Sequence, residues 1–166
     1  MAGNRILMKR RLILNTYEVG KEVAEYTPPK VVKIMKDSEG GHFGKKKIFV
    51  GIEEMSSSLK ILGPTKDFLS NFGIVGGQSA NITVIESLQD EDGEIFAIRY
   101  EKTGEIVSVE ESQSKMGEEK YAMLEMHVRA YKKTENGGNI YDINVDADYY
   151  DLGDGDIMAP HTRNVS

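Results

Sequence analysis

The side chains that could perform catalysis or bind a metal ion are scattered along this sequence. Its three histidines, His42, His127 and His161, lie far apart, and the chain contains no cysteine. Zinc sites need ligands at short and regular spacings, so the sequence does not predict one. No nucleophile-elbow serine motif, phosphate-loop lysine motif or dinucleotide-binding glycine pattern occurs. We therefore expect no catalytic residue, no metal site and no cofactor.

An acidic segment near the end of the chain comes closest to a cation site. Its aspartates are Asp146, Asp148, Asp151, Asp154 and Asp156. The segment lacks the regular aspartate ladder and the terminal glutamate of an EF-hand loop. We interpret it as an exposed acidic tail. A calcium-dependent β-sandwich binding module stays open as a remote alternative.

Length and composition indicate one domain with a modest core. The chain has 166 residues, of which 39% are hydrophobic and 29% charged. Its formal net charge of −6 would repel a nucleic-acid backbone, so tight DNA binding is not expected. No apolar run approaches the roughly 18 to 20 residues of a membrane span, so we expect no membrane anchoring.

One long segment alternates between apolar and polar residues. From Glu119 to Lys133, one face carries Ala122, Leu124, Met126, Val128 and Ala130, and the other carries Tyr121, Met123, Glu125, His127, Arg129 and Tyr131. This period of two predicts a long strand buried on one side.

A β-hairpin is predicted immediately before that strand. Residues Glu94 to Lys102 alternate, and the alternation continues from Glu105 to Ser112 with Val107 and Val109 on one face. Because Gly104 can adopt positive φ, we expect a turn between the two runs. A second hairpin turn is expected at Glu135 to Asn139, where glycine and asparagine are concentrated.

Shorter strands are predicted where β-branched residues lie between turn signals. They are Arg11 to Asn15, Glu22 to Thr27, Val31 to Lys36, Met55 to Leu62 and Ala80 to Leu88. One helix is predicted from Pro64 to Gly73, since proline suits a first helical position and glycine a helix end. The segments Lys36 to Lys47 and Asp151 to Ser166 are predicted to be irregular and outside the core.

These elements predict a mainly β fold, an antiparallel β-sandwich or barrel with one short α-helix. Strands with one apolar and one charged face fit a sheet that covers a core on one side and water on the other. Such a sheet has edges with unpaired backbone groups, and joining the edges of several copies into a closed barrel removes them. Symmetric self-assembly is therefore a physical option.

Several short segments also occur in a recognisable order along nearly the whole chain. They are Leu12-Ile13-Leu14-Asn15, Glu22 to Thr27 with Pro29-Lys30, the loop after Lys36, Lys115-Met116-Gly117-Glu118, Tyr141-Asp142-Ile143-Asn144, and His161-Thr162-Arg163-Asn164-Val165. In this order the chain resembles the tail tube proteins of contractile-tailed bacteriophages. It departs from their pattern in the aspartate-rich insert Asp146 to Asp156.

The resemblance implies a structural subunit without catalytic residues. Its hexameric rings would stack into the inner tube of a contractile phage tail, the conduit for DNA delivery into the host. The implied partners are other copies of the chain, the tail sheath protein, and the baseplate or tail initiator, tape measure and tail terminator proteins, with transient non-specific passage of DNA. The implied location is the virion, after synthesis in the bacterial cytoplasm.

The resemblance also implies residue roles. The lumen would be lined by Glu94 to Lys102, Glu105 to Ser112, Glu119 to Lys133 and Met55 to Leu62, with Arg99, Glu101, Ser108, Glu110, Glu125, His127 and Arg129 as lining candidates. We expect an acidic or neutral lumen, because a basic wall would hold the phosphates of passing DNA. Arg99 and Arg129 are expected to pair with its glutamates.

The loop from Asp37 to Lys47 is expected to be an arm that reaches a neighbouring subunit or ring. Its candidate contact residues are Gly40, Gly41, His42, Phe43, Gly44, Lys45, Lys46 and Lys47. Phe43 is the large apolar side chain of this loop and has no core to join in a monomer, so burial between subunits would stabilise it there.

A second interpretation predicts the same fold for a tube that conducts a different molecule. The tube protein of a type VI secretion system, or of a phage-tail-like contractile injection particle, would carry protein instead of DNA. Neighbouring capsid and portal genes would indicate a phage, whereas a gene for an AAA+ sheath-disassembly ATPase would indicate secretion.

Overall fold

The structure is a computed structural model that describes residues 3–14, 17–19, 23–38, 46–63 and 80–166. Within these ranges the chain is mainly β. The strands are β1 Arg5–Leu14, β2 Tyr17–Val19, β3 Val23–Thr27, β4 Lys33–Ser38, β5 Lys46–Ile52, β6 Met55–Leu62, β7 Ala80–Asp90, β8 Ile95–Glu111, β9 Tyr121–Glu135, β10 Gly138–Asn144 and β11 Tyr149–Asp151. One short helix, α1, spans Ala159–Val165.

Nine of these strands form one antiparallel sheet. Its main path runs β11-β10-β9-β8-β7-β1-β2, and β6 joins it by pairing with β9 on one side and with β3 on the other. The strands β4 and β5 form a separate two-stranded ribbon. This arrangement confirms the predicted fold class, a mainly antiparallel β structure with one short helix among the described residues.

The sheet curls around a single hydrophobic core. The largest fully buried side chains come from β1, β6, β7 and β10, and they are Leu12, Leu14, Met55, Ile61, Ile82, Val84 and Ile143. In β9 the predicted inward face is confirmed as far as Val128, because Ala122, Leu124, Met126 and Val128 are all buried. Ala130, predicted on the same face, is only partly buried. The predicted turn after β9 is also present, with Asn136 and Gly137 both at positive φ.

The first predicted hairpin is wrong. Instead of turning at Gly104, the chain continues as one strand of 17 residues, β8. Gly104 does not have positive φ. Thr103 pairs with Ala130 of β9, and the next residue, Gly104, pairs with Val128 instead of Arg129. This register shift leaves Arg129 as an extra residue in β9, which is a β-bulge. The glycine therefore marks an irregularity inside a strand.

Two bulges change which side chains face the core. A second register shift, between Ile106 and Ser108 of β8, turns Val107 outward, and this side chain is 52% exposed. Past the bulge in β9, Tyr131 is buried although the alternation predicts it on the polar face. An extra residue shifts a period-two pattern by one position, so the side chains after the bulge in β9 lie on the faces opposite to those predicted. In β8 only Val107 departs from the prediction, because Val109 packs against the core and Ser108 and Glu110 lie outward, as predicted.

The last segment of the chain is more ordered than predicted. It contains β11 and α1, and Leu152 packs against the core. The description of Asp151 to Ser166 as wholly irregular and outside the core is therefore wrong. The predicted helix from Pro64 to Gly73 lies outside the described residues. No helix in the described part of the chain is long and apolar enough to span a membrane.

Candidate assembly interface

A four-strand segment of the sheet presents a polar outer face. It has the order β3-β6-β9-β8, with the first half of β9 between β6 and the second half of β8. Across it, Glu125 of β9 lies opposite Ser58 of β6 and Ser108 of β8. In the next outward row, His127 lies between Ser56 and Glu105. In the row on the other side of Glu125, Met123 lies opposite Lys60 of β6 and Glu110 of β8. This face therefore combines hydroxyl, carboxylate and imidazole groups with one ammonium group and a methionine side chain.

The lumen residues predicted from the sequence lie in two places, on this four-strand segment and on the part of β8 that pairs with β7. Ser108, Glu110, Glu125 and His127 lie on the four-strand segment, and the pairing of β8 with β9 brings Ser108 and Glu125 together. Arg129 is the bulge residue at the end of the segment and lines a shallow cleft with Asn144 and Asp146. The lumen role of these residues stays a prediction.

Arg99 and Glu101 lie farther along β8, where it pairs with β7. Arg99 Nε donates to Glu101 Oε1 at 2.9 Å. Both side chains are substantially solvent-exposed, so this ion pair contributes little to stability. The carboxylate of Glu101 offsets the positive charge of the Arg99 guanidinium.

Two strand edges of the four-strand segment have no strand partner among the described residues. The pairing of β7 with β8 ends at Gly104, so β9 is the one described strand that pairs with Glu105 to Glu111. On the other flank, β3 pairs with β6 and with no other described strand. Near its start, the Ala24 carbonyl oxygen accepts a hydrogen bond from Arg10 at 3.5 Å. Open edges of this kind are sites where another chain can add a strand.

A buried lysine supports the β3 edge from inside the core. Lys102 is 2% exposed, and its Nζ donates to Ser57 Oγ at 3.0 Å. Ser57 Oγ in turn donates to the Thr27 carbonyl oxygen at 2.7 Å. The ammonium also lies 4.0 Å from the centroid of the Tyr26 ring. These contacts connect β8 across the core to the end of β3.

Burial changes the acid–base properties of this group. Loss of hydration lowers the pKa of Lys102 to about 7, and it raises the pKa of Tyr26 and of Tyr131 above the ordinary value. Lys102 is not among the residues predicted from the sequence to have a role, although its spacing from the buried Ile98 and Tyr100 places it on the same inward face of β8.

The predicted arm begins and ends as a β-ribbon. Asp37 pairs with Lys47, and Ser38 with Lys46, so the ends of the predicted loop belong to β4 and β5. The ribbon carries exposed apolar side chains from both strands, which are Ile34, Met35, Ile48 and Val50. The other predicted arm residues, Gly40, Gly41, His42, Phe43, Gly44 and Lys45, lie outside the described residues.

The aspartates of the last segment hydrogen-bond to the backbone of their own turns. Asp151 Oδ1 accepts from the backbone N–H groups of Gly153 and Gly155, at 2.9 and 3.1 Å. Asp156 Oδ1 accepts from those of Tyr150 and Met158, both at 3.0 Å. Over the residues that the structure describes, no group of three or more acidic or histidine side chains is placed to hold a metal ion.

A mainly β fold whose polar face ends in strand edges without a described partner is typical of a structural subunit that assembles through its strands. Sequence comparison identifies the family. The model of the family described as phage tail tube protein FII matches residues 4–165. The chain therefore belongs to this family of phage tail tube proteins, which confirms the resemblance and the tail tube function predicted from the sequence. No curated protein matches the chain in a sequence search.

Solved structures share the fold at low sequence identity. A chain of the sheath–tube complex of the PVC extracellular contractile injection system, in its extended state, has a TM-score of 0.59 and 11% identity over 76% of this chain and 88% of its own. A chain of the sixfold-symmetrised anti-feeding prophage baseplate has a TM-score of 0.54 and 10% identity over 81% of this chain and 97% of its own. A chain of the anti-feeding prophage cap has a TM-score of 0.53 and 12% identity, over 77% and 87%.

Proposed function

We propose that this protein is the major tail tube subunit of a contractile phage tail, and that six copies form each ring of the tube. The rings stack into the conduit through which DNA enters the host. The role is structural and requires no catalytic residue or cofactor. The observation that carries the proposal, beyond family membership, is that both outer strands of the four-strand segment have an edge with no strand partner in the part of the chain that the structure describes.

The geometry of these edges suits a ring. The edges of β3 and β8 lie on opposite flanks of the segment, and all neighbouring strands within it are antiparallel. With four strands in the order β3-β6-β9-β8, β3 and β8 run in opposite directions. Rotation about a central axis therefore places Glu105 to Glu111 of one copy antiparallel to β3 of the next. Such a head-to-tail interface closes into a ring when the rotation closes, and the joined strands form one barrel.

The polar face of the segment then lines the lumen. Ser108, Glu110, Glu125 and His127 all lie outward on it, opposite the buried side of the same strands. Lys60 also lies on this face, but Glu25 of β3 is its cross-strand neighbour. An inner wall with glutamates and hydroxyl groups, and with this lysine beside a glutamate, repels the DNA backbone weakly and offers it no lysine cluster. DNA can then slide through without being retained.

The partners proposed for the outside and the two ends of the tube are the sheath, baseplate or tail initiator, tape measure and tail terminator proteins. Similar folds occur in chains from a sheath–tube complex, a baseplate and a tube-terminating cap. This similarity supports a component of a phage tail or tail-like particle, and we propose the virion as its location.

Size analysis of the purified protein tests the ring. Six copies of 18.5 kDa give a particle of about 111 kDa, and we expect light scattering to detect this mass as concentration is raised. Monomer alone under all conditions, including in the presence of the tail initiator, would refute the proposal. Protein cargo in place of DNA would be indicated by genes for a sheath-disassembly ATPase near this gene instead of capsid and portal genes.

A further inference from the structure

The loop between β8 and β9 holds a fully exposed methionine at its tip. Met116 is completely accessible to solvent. It occupies a tight turn in which the Glu118 N–H donates to the Lys115 carbonyl oxygen at 3.2 Å and Gly117 has a φ of 80°. At the base of the loop, the Ser112 N–H donates to the Tyr121 carbonyl oxygen at 2.8 Å. An ordered loop therefore presents a large apolar side chain to solvent.

An apolar cleft lies elsewhere on the same chain. It has a volume of about 140 Å³ and is lined by side chains of β5 and of the segment after β10. The apolar lining residues are Phe49, Val50, Ile52, Tyr150, Ile157 and Met158. Val50 is 54% exposed and Ile157 36% exposed, so the cleft is open to a partner.

The methionine and the cleft lie at opposite ends of the four-strand segment. Leu62 pairs with Tyr121, next to the loop that carries Met116. Met55 pairs with Val128 at the far end of the same ladder, and Ile52 of the cleft lies three residues before Met55. The seven residue steps from Tyr121 to Val128 span about 23 Å at the usual rise of a strand. The two features cannot meet within one chain.

We infer that Met116 of one copy inserts into this cleft on a copy in the adjacent ring. The inference rests on the proposed tube, because stacked rings bring one end of the segment to the opposite end of the next. The loop has no net charge, because Lys115 and Lys120 balance Glu118 and Glu119. Lys115, directly before Met116, can pair with Asp148, which borders the cleft. Glu53 and Glu54 follow the cleft residue Ile52 and are exposed. Burial of an exposed methionine is favourable, and it is repeated around each ring.

Cysteine cross-linking tests this contact directly, because the natural chain has no cysteine. The double variant Met116→Cys with Val50→Cys should form covalent multimers under oxidising conditions once tubes assemble. Each copy would be linked to the copies above and below it. The two single variants, and Met116→Cys combined with Val165→Cys, serve as controls and should remain monomeric on a denaturing gel.

A substitution pair provides a second measurement. Met116→Ser should raise the concentration needed for tube growth at least about tenfold, whereas Met116→Leu should leave it nearly unchanged. Single rings should still form in both variants. Unchanged tube growth by the serine variant, or tubes of the double cysteine variant without cross-links, would overturn this inference and leave the proposed tube intact. Absence of rings and tubes from the unmodified chain would overturn both.

Discussion

Gly104 of β8 lies so close to the His127 carbonyl oxygen of β9 that a side chain cannot be accommodated between them. A Cβ atom built on Gly104 would collide with that oxygen and lie 2.9 Å from the carbonyl carbon of His127. It would also lie 3.0 Å from Val128 Cα. All three atoms belong to the backbone, so they cannot move aside without disrupting the ladder. The bulge at the end of the four-strand segment therefore requires glycine.

Gly104→Ala should destabilise the protein by more than about 3 kcal/mol, because the strands must separate where the sheet changes partners. Urea unfolding followed by circular dichroism measures this change. Gly51→Ala is the matched control, since its Cβ would meet only Ile34 Cδ1 at 3.7 Å, an ordinary contact. Equal stabilities of the two variants would contradict the close approach.

The buried ammonium of Lys102 predicts a specific pH dependence. Because the pKa of Lys102 falls from 10.5 to about 7 on folding, the unfolded chain binds more protons between these values. The free energy of unfolding should therefore rise with pH above 7. Above pH 10, the raised pKa of Tyr26 and of Tyr131 has the opposite effect, since the folded state then retains protons that the unfolded chain releases.

Lys102→Met should remove the rise between pH 7 and pH 10 and should make the protein more stable at pH 6 by more than about 1 kcal/mol. Urea midpoints at pH 6 and pH 9.5 provide the test. If the variant and the natural protein show parallel pH profiles, Lys102 does not titrate as its burial predicts.

We expect the loop between β4 and β5 to be needed for tube assembly and not for folding of the monomer. Replacing residues 39–45 by Asn-Gly would join Ser38 to Lys46, which already pair, by a tight turn. The melting temperature of the monomer should stay nearly unchanged, whereas tube growth should be lost. Full-length tubes from this variant in electron micrographs would show that the predicted arm is only a connection.

The polar face predicts that DNA retention depends on charge. Tubes carrying Glu110→Lys with Glu125→Lys should retain short duplex DNA at low salt and release it as salt increases, because a basic wall binds phosphates by counterion release. Co-sedimentation of labelled DNA with tubes measures this binding. Asp154→Lys, on the exposed last segment, is the control. Equal retention by the lumen variant and the control would place the two glutamates away from the DNA path.

The long strands can be predicted from the sequence, because burial of one face leaves an apolar residue at every second position. The inward run from Ala122 to Val128 was readable for this reason. The extra residues Val107 and Arg129 were not readable, since a bulge depends on the partner strand and leaves no pattern of its own. Gly104 was misassigned because glycine serves turns and close backbone approach equally well.

For the assembly surface, the sequence predicts which side chains of β9 point outward but not which strand edges lack a partner. Alternation in β9 identified Glu125 and His127 as outward residues, but the open edges of β3 and β8 depend on which strands pair across the whole chain. Lys102 was missed because a charged residue at an inward position requires the contacts of Ser57 and Tyr26, which come from distant segments.

A cryo-electron microscopy map of tubes grown from the purified protein tests the central claim most directly. We predict sixfold rings whose inner wall is one continuous barrel, with β3, β6, β9 and β8 contributed by each copy. Glu105 to Glu111 should run antiparallel to β3 of the neighbouring copy, and Glu125 should face the lumen. Rings joined through other strands, or a lumen lined by the opposite face of this sheet, would contradict the account.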